Sequence, residues 1–243
     1  MVTGDEAVRL FEHALALDPR SVEAQTHLAS ALVNRAMGQK SPAAKAADLQ
    51  RSEELIAQAL AASPGDAHAH RTKGKLLRDT RRCEDAIPEF EIALAIDRNY
   101  PLALGDLGMC KFLTGGSDQE AIALIKQAIR LSPRDPNMWW WHTRIGFVHL
   151  LQERIDEAIT WLEKGKSMKP DARYAQWSLA AAYGFKGDLE RARAELAEAK
   201  RLWSPHLSVA GFRAKSEWYT PAVRDRWETV IFPGLRAAGL PEE

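Results

Sequence analysis

The residues of this chain that could do chemistry are seven histidines, two cysteines, one glycine-rich stretch and a strip of three cations. His142 and His149 stand seven apart, on one face of a helix, a spacing that would suit a metal pair. Zinc needs three or four ligands, however, and no Cys or carboxylate lies beside them at ligand spacing. His149 suits a packed core ring better. Cys83 reads as a loop residue and Cys110 as a helical one. Neither has a histidine partner that would activate a nucleophile, so both read as ordinary thiols. Thr114, Gly115, Gly116, Ser117 and Asp118 are glycine-rich but lack the lysine of a phosphate cradle, which makes them a turn. No G-x-G-x-x-G, G-x-S-x-G or H-E-x-x-H string occurs. The expectation is therefore no enzyme, no cofactor and no metal.

What remains is binding chemistry. Arg71, Lys75 and Arg78 fall at i, i+4 and i+7, a basic strip with no carboxylate among its members; it is either a binding surface or a set of charges offset by acids such as Asp106 on the next helix. Equivalent stripes further along carry Gly105, Met109 and Phe112, then Trp140, Thr143, Phe147 and Leu150, then Tyr174, Trp177 and Ala181. The surface they predict changes from cationic to apolar and aromatic. A protein or peptide with an acidic end and apolar anchors fits that order. The chain's own tail, from His206 onward, fits the apolar part equally well. In the run Trp139, Trp140, Trp141 successive side chains point about 100° apart, so the three cannot share one core.

These residues are positioned by a repeat. Strings of one form end at 19, 64, 98, 133, 170 and 204: FEHALALDP, IAQALAASP, FEIALAIDR, IKQAIRLSP, LEKGKSMKP and LAEAKRLWS. The underlying unit is 34 residues with insertions. Each unit splits into two helical stretches. The second carries its apolar residues at i, i+1, i+4, i+7 and i+8, as in Ala86, Ile87, Phe90, Ala93 and Leu94. Gly74, Gly108, Gly146 and Ala180 recur at one place in the first helices, and Ala86, Ala121, Ala158 and Ala192 in the second. Glycine inside a helix costs about 0.5–1 kcal/mol relative to alanine. Its recurrence predicts close helix crossings. Alternation of period 2 is absent, so no strand is expected.

With Leu107-Gly108, Ile145-Gly146, Leu179-Ala180 before Tyr183, Ala86 before Phe90, Ala158 before Leu162, and Pro19, Pro64, Pro133 and Pro170, the chain resembles the tetratricopeptide repeat family. Lys73 and Arg98 depart from the pattern. The resemblance implies an all-α, right-handed superhelix of about five and a half helix-turn-helix repeats with a C-terminal helical extension. It places a half repeat at 5–20, repeats at about 21–66, 67–100, 101–135, 136–172 and 173–205, and a tail at 206–243. It also implies that Arg71, Lys75, Arg78, Met109, Phe112, Trp140, Thr143, Phe147, Leu150, Tyr174 and Trp177 line a concave, partner-binding groove. The strings 131–150, 36–47 and 234–243 further resemble the C-terminal repeat region of bacterial class III adenylate/guanylate cyclases and related transcriptional regulators. That implies the regulatory part of a larger signalling protein. An oligomerisation scaffold, or a stand-alone adaptor, is the alternative.

Residues 36–47 read as a lengthened loop with flanking helix extension. In the tail, Thr220-Pro221 reads as a helix start with Val223, Trp227 and Val230 on its apolar side. Pro233-Gly234 should kink or end it, with a shorter turn over 235–238. The chain opens in a second-helix pattern, Glu6–Leu17, whose Ala7, Leu10, Phe11 and Ala14 lack a preceding helix. The expectation is a fragment of a longer protein, able to dimerise through that half repeat. Lys and Arg total 33 against 33 Asp and Glu, which removes the electrostatic case for nucleic acid or anionic lipid. No signal sequence and no membrane span is legible, so a cytoplasmic location is expected.

Overall fold

A computed structural model describes residues 4–39, 41–136, 138–203, 207–216 and 219–243, so His206 and Trp218 lie outside the described residues. Among the described residues no strand is present. The chain divides into two compact units, Met1–Cys110 and Lys111–Glu243.

Unit 1 holds α1 (Gly4–Leu17), α2 (Val22–Gly38), α3 (Pro42–Ala62), α4 (Ala67–Asp79), α5 (Cys83–Ile96) and the first ten residues of α6 (Pro101–Leu113). Helix α1 packs on α2, α2 on α3, and α4 on α5, with α4 also against α2 and α3. Unit 2 holds α7 (Asp118–Leu131), α8 (Met138–Leu151), α9 (Ile155–Met168), α10 (Arg173–Lys186) and α11 (Leu189–Leu202). Its tail adds α12 (Val209–Ser216), α13 (Pro221–Arg226), a π-helical turn (Trp227–Ile231) and α14 (Phe232–Ala237). Successive helices pair antiparallel as helix-turn-helix units, the expected all-α repeat fold.

Local chemistry explains the boundaries. Ser21, Asp66 and Ser117 each accept a hydrogen bond from the backbone N–H three residues on, at 3.2, 2.6 and 3.3 Å, and so start α2, α4 and α7. The first helices end alike. At Arg81, Gly115, Glu153 and Gly187 the backbone is left-handed, with φ of 69, 84, 59 and 87°. In each case the next N–H donates back five residues, to Leu77, Lys111, His149 and Tyr183, which closes a Schellman motif. Glycine fills two of these four places without strain, whereas Arg81 and Glu153 adopt a conformation that costs an L-residue roughly 1 kcal/mol.

Small residues occupy the crossings as expected. A Cβ on Gly74 would sit 2.6 Å from the Phe90 ring, and one on Gly146 2.6 Å from Leu162 Cγ. Ala86, Phe90 and Ala93 are fully buried, as are Ala121, Ile125, Ala158 and Leu162.

Two expectations need correction. The insertion is taken up by the expected helix extension rather than by a lengthened loop: α2 runs to Gly38 and α3 extends over 21 residues from Pro42. The alanine-rich string after Pro42 favours helix, and Ser41 accepts from the Ala44 N–H at 3.4 Å to start it. The extension is held by Arg35 on α2, which grips Asp48 on α3 through Nε at 2.9 Å and Nη2 at 2.7 Å. In the tail, Pro233 does not end the helix but lies in the first turn of α14. The turn before it widens instead, with the Phe232 N–H donating to Trp227 five residues back. The wider turn gives room for a proline ring that would otherwise press on the carbonyl four residues earlier. The helix stops at Gly239, whose φ is 95°.

Candidate partner-binding site

The three cations of the predicted strip are not an accessible surface. Arg71 and Lys75, 8% and 6% exposed, are buried on α4. Arg71 Nη2 donates to Asp106 Oδ2 at 2.9 Å, and Arg78 Nη1 pairs with the other oxygen of Asp106. Lys75 Nζ and Arg78 Nε donate to the two oxygens of Asp79, each at 2.9 Å. Asp106 on α6 is 2% exposed. Burial drives the Lys75 pKa down to about 8, with Asp79 opposing the shift. Burial alone would raise Asp79, but Arg78 and Lys75 hold it below the usual carboxylate range. The strip is thus a buried cluster of three cations and two carboxylates. Sequence spacing placed the cations correctly on one helical face, and of the two fates it left open, binding surface or pairing with acids such as Asp106, the structure has the pairing, with Asp79 as a further partner.

Along the half-buried edge of unit 1 a second constellation lies beside the cluster. Phe11, His27, His68 and Tyr100 form a chain of rings, with centroids 5.1, 4.5 and 6.3 Å apart. Burial, then the neighbouring His27 and Arg71, push the His68 pKa down to about 4.

In unit 2 the predicted apolar stripe is present but filled. Thr143, Phe147, Leu150 and Trp177 are buried. Trp227 of the tail lies 5.5 Å from Trp177 and 5.9 Å from Phe147, centroid to centroid, and Phe212 lies 5.3 Å from Trp177. Gly234 on α14 meets Gly184 on α10 backbone to backbone: a Cβ on either would collide with a carbonyl of the other helix. Arg226 Nη1 anchors the tail to Asp118 at 2.8 and 3.1 Å, and Gln152 donates to the same carboxylate at 3.0 Å. Of the two occupants the sequence left open, the chain's own tail takes the stripe. Met109 and Phe112 on α6 are likewise buried, so these two predicted groove residues serve as core.

Trp140 and Tyr174 fare differently. Both are half-buried and belong to a ladder, Trp139–Trp140–Tyr174–Trp203, with centroid spacings of 5.4, 5.1 and 5.9 Å. Cations stand over its faces: Lys169 Nζ 4.7 Å from the Trp139 centroid, Arg144 4.8 Å from Trp140, and Arg173 5.5 and 5.3 Å from Tyr174 and Trp203. Trp141, the third of the run, turns into the core at 2% exposed. Lys169, Arg173 and Trp203 were missed from sequence. The 34-residue step from Trp140 to Tyr174 was the signal for the ladder.

His142 and His149 are buried on α8, and His142 Nδ1 is 2.7 Å from the Met138 carbonyl. Burial lowers the pKa of both. Among the described residues no three His, Cys, Asp or Glu are grouped to hold a metal ion. No helix among them is long and apolar enough to cross a membrane.

The sequence profile of the tetratricopeptide repeat matches residues 43–101 and again 71–136. Residues 43–136 thus carry tetratricopeptide repeats. Solved structures share the fold of this chain over most of its length. The Cut9–Hcn1 hetero-tetramer of the APC/C matches 93% of it at 17% identity and a TM-score of 0.72, and this chain spans 39% of that one. Pseudomonas aeruginosa pilF matches 87% of this chain and 90% of its own, at 18% identity and a TM-score of 0.61. YrrB, described as a TPR protein with an unusual peptide-binding site, matches 86% and 99%, at 18% identity and a TM-score of 0.52. No curated protein matches this chain. At these identities the likeness concerns the fold.

Proposed function

We propose that this chain is a non-catalytic protein- or peptide-binding module whose contact surface is the ladder Trp139, Trp140, Tyr174 and Trp203 with Lys169 and Arg173. The supporting observation is the interleaving of half-buried rings with cations. Trp, Tyr and Arg are the side chains that most often dominate interfaces. Rings supply apolar anchor sites, and Arg173 and Lys169 supply charge for an acidic partner. Of the other predicted groove residues, Phe147 and Trp177 would meet a partner only if the tail left them, and Thr143 packs against Gly165 of α9. YrrB, a structural relative whose description names a peptide-binding site, makes peptide recognition a reasonable use of the same fold. The finer assignment, a regulatory part of a cyclase-like signalling protein in the cytoplasm, rests on the resemblance of 131–150, 36–47 and 234–243. A dimer through α1 is part of the same proposal: Leu10 and Leu17 are 58% and 76% exposed.

The test is capture of partners by the wild type and by Trp140→Ala combined with Arg173→Glu, with helical content checked by circular dichroism. The ladder reading expects a partner whose binding falls at least about tenfold in the variant, the loss of one interface hot spot. Equal affinity with an intact fold would overturn it. The cyclase reading has a separate check. An in-frame cyclase or DNA-binding domain upstream of residue 1 in the gene supports it, and any other reading frame there counts against it.

A further inference from the structure

Cys83 opens α5 and Cys110 sits on α6. The Cys110 thiol donates to Cys83 Sγ across 2.7 Å, and neither forms a disulfide. A disulfide bond is about 2.05 Å long, so the sulfurs need approach by only about 0.65 Å to bond. Both side chains are buried, at 3% and 0% exposure. Cys83 is nevertheless one residue deep: Arg81, Arg82, Glu84 and Asp85 around it are all exposed. It is the first residue of a 14-residue helix and follows Arg81 and Arg82. Cys110 differs. Burial pushes its thiol up, and it lies on the same face of α6 as Asp106, one turn away.

We infer that Cys83 and Cys110 are an oxidisable dithiol, a modification site at which a two-electron oxidant such as hydrogen peroxide closes a disulfide between α5 and α6. The Cys83 thiolate attacks one peroxide oxygen, the O–O bond breaks, and hydroxide leaves and takes up a proton as water. The Cys110 sulfur then attacks the resulting sulfenic sulfur. The S–S bond forms as the S–OH bond breaks, and the hydroxyl leaves with the Cys110 proton as a second water. Two thiols and one peroxide thus give one disulfide and two waters. The bond ties the second helix of one repeat to the first helix of the next, and holds α6 where Asp106 meets Arg71 and Arg78. Because the sulfurs are buried, closure waits on local opening at the start of α5 and is slow beside that of an exposed thiol.

The experiment treats the reduced full chain with a small excess of hydrogen peroxide and then alkylates it in denaturant. The expected result is a monomer lighter by about 2 Da, with alkylated cysteines falling from two to none and returning to two with dithiothreitol. Its melting temperature should rise by several degrees, while that of Cys83→Ala/Cys110→Ala is the same with and without peroxide. Two alkylated cysteines after exhaustive treatment would overturn the proposal. So would loss of both thiols with a gain of oxygen mass, which marks separate sulfinic or sulfonic acids.

Discussion

The same positions of the first helices are filled in opposite ways in the two units. In unit 1, α4 carries Arg71, Lys75 and Arg78 there; in unit 2, α8 carries Thr143, Phe147 and Leu150, and α10 carries Trp177, Ala181 and Gly184. Both sets are buried or nearly so, but by different means. The cations are paired with Asp79 and Asp106 from the unit's own helices. The aromatics are covered by a segment that follows the last repeat. A repeat position therefore fixes the direction of a side chain, and the neighbour decides whether it meets solvent, a counter-ion or the tail.

The largest effect expected from breaking this pattern is in unit 2. Trp227 touches Phe147, Trp177, Phe212, Tyr219 and Phe232 at ring-centroid distances of 5.5–6.3 Å. Trp227→Ala should cost about 3–5 kcal/mol, measured by urea unfolding, because a large ring at the centre of the tail contact leaves a cavity. Its indole Nε1 is buried without a hydrogen-bond partner. Trp227→Phe removes that orphan donor and should recover most of the loss. If Ala and Phe cost the same, the ring contact is not what holds the tail.

Next is Asp106→Asn in unit 1, which leaves Arg71 and Arg78 buried with one fewer carboxylate. Removing one partner of a buried pair costs about 3–5 kcal/mol, and here Asp79 remains to offset part, so the lower end is expected. Repeats unfold with their neighbours rather than as one block. Amide exchange should therefore quicken in α4 and α6 first and leave α10 and α11 unchanged. Faster exchange throughout would show that the cluster stabilises the chain as a whole.

How much of this was legible follows from range. The crossings at Gly74 with Phe90 and Gly146 with Leu162 recur with the repeat, so the period revealed them. The helix ends at Gly115 and Gly187 were marked by glycine; the equivalent ends at Arg81 and Glu153 use residues that give no sign of a left-handed backbone. Asp106 lies 35 residues beyond Arg71; one repeat of spacing makes it a candidate counter-ion, but the spacing does not decide between that pairing and an open strip. Val223, Trp227 and Val230 were read correctly as one apolar side. Where that side docks depends on the bare backbone contact of Gly184 with Gly234, which no local pattern encodes.

The smallest expected effect separates the units by pH. The folded His68 pKa of about 4 lies below the ordinary value of 6.5, so the unfolded chain takes up this proton first. The stability that neutral His68 gives is complete above pH 6.5 and is lost as pH falls through 4. The groups around it are His27 and Arg71, which disfavour its charge, and Asp66, which favours it. Asp79 also loses stability in acid, but its folded pKa is below the ordinary 3.8, so its window begins where that of His68 ends. His142 and His149 have lowered pKa values as well, and a global melt would mix their losses with this one. The measurement is therefore local: the imidazole proton resonance of His68 against pH, with melting of wild type and His68→Phe between pH 7.5 and 4.5. The resonance should titrate near 4, and the variant, which keeps a ring between His27 and Tyr100, should show a shallower fall in melting temperature. A His68 titration at 6.5, or parallel melting curves, would mean that the ring chain of unit 1 is open to water and that only the tail-covered face of unit 2 excludes it.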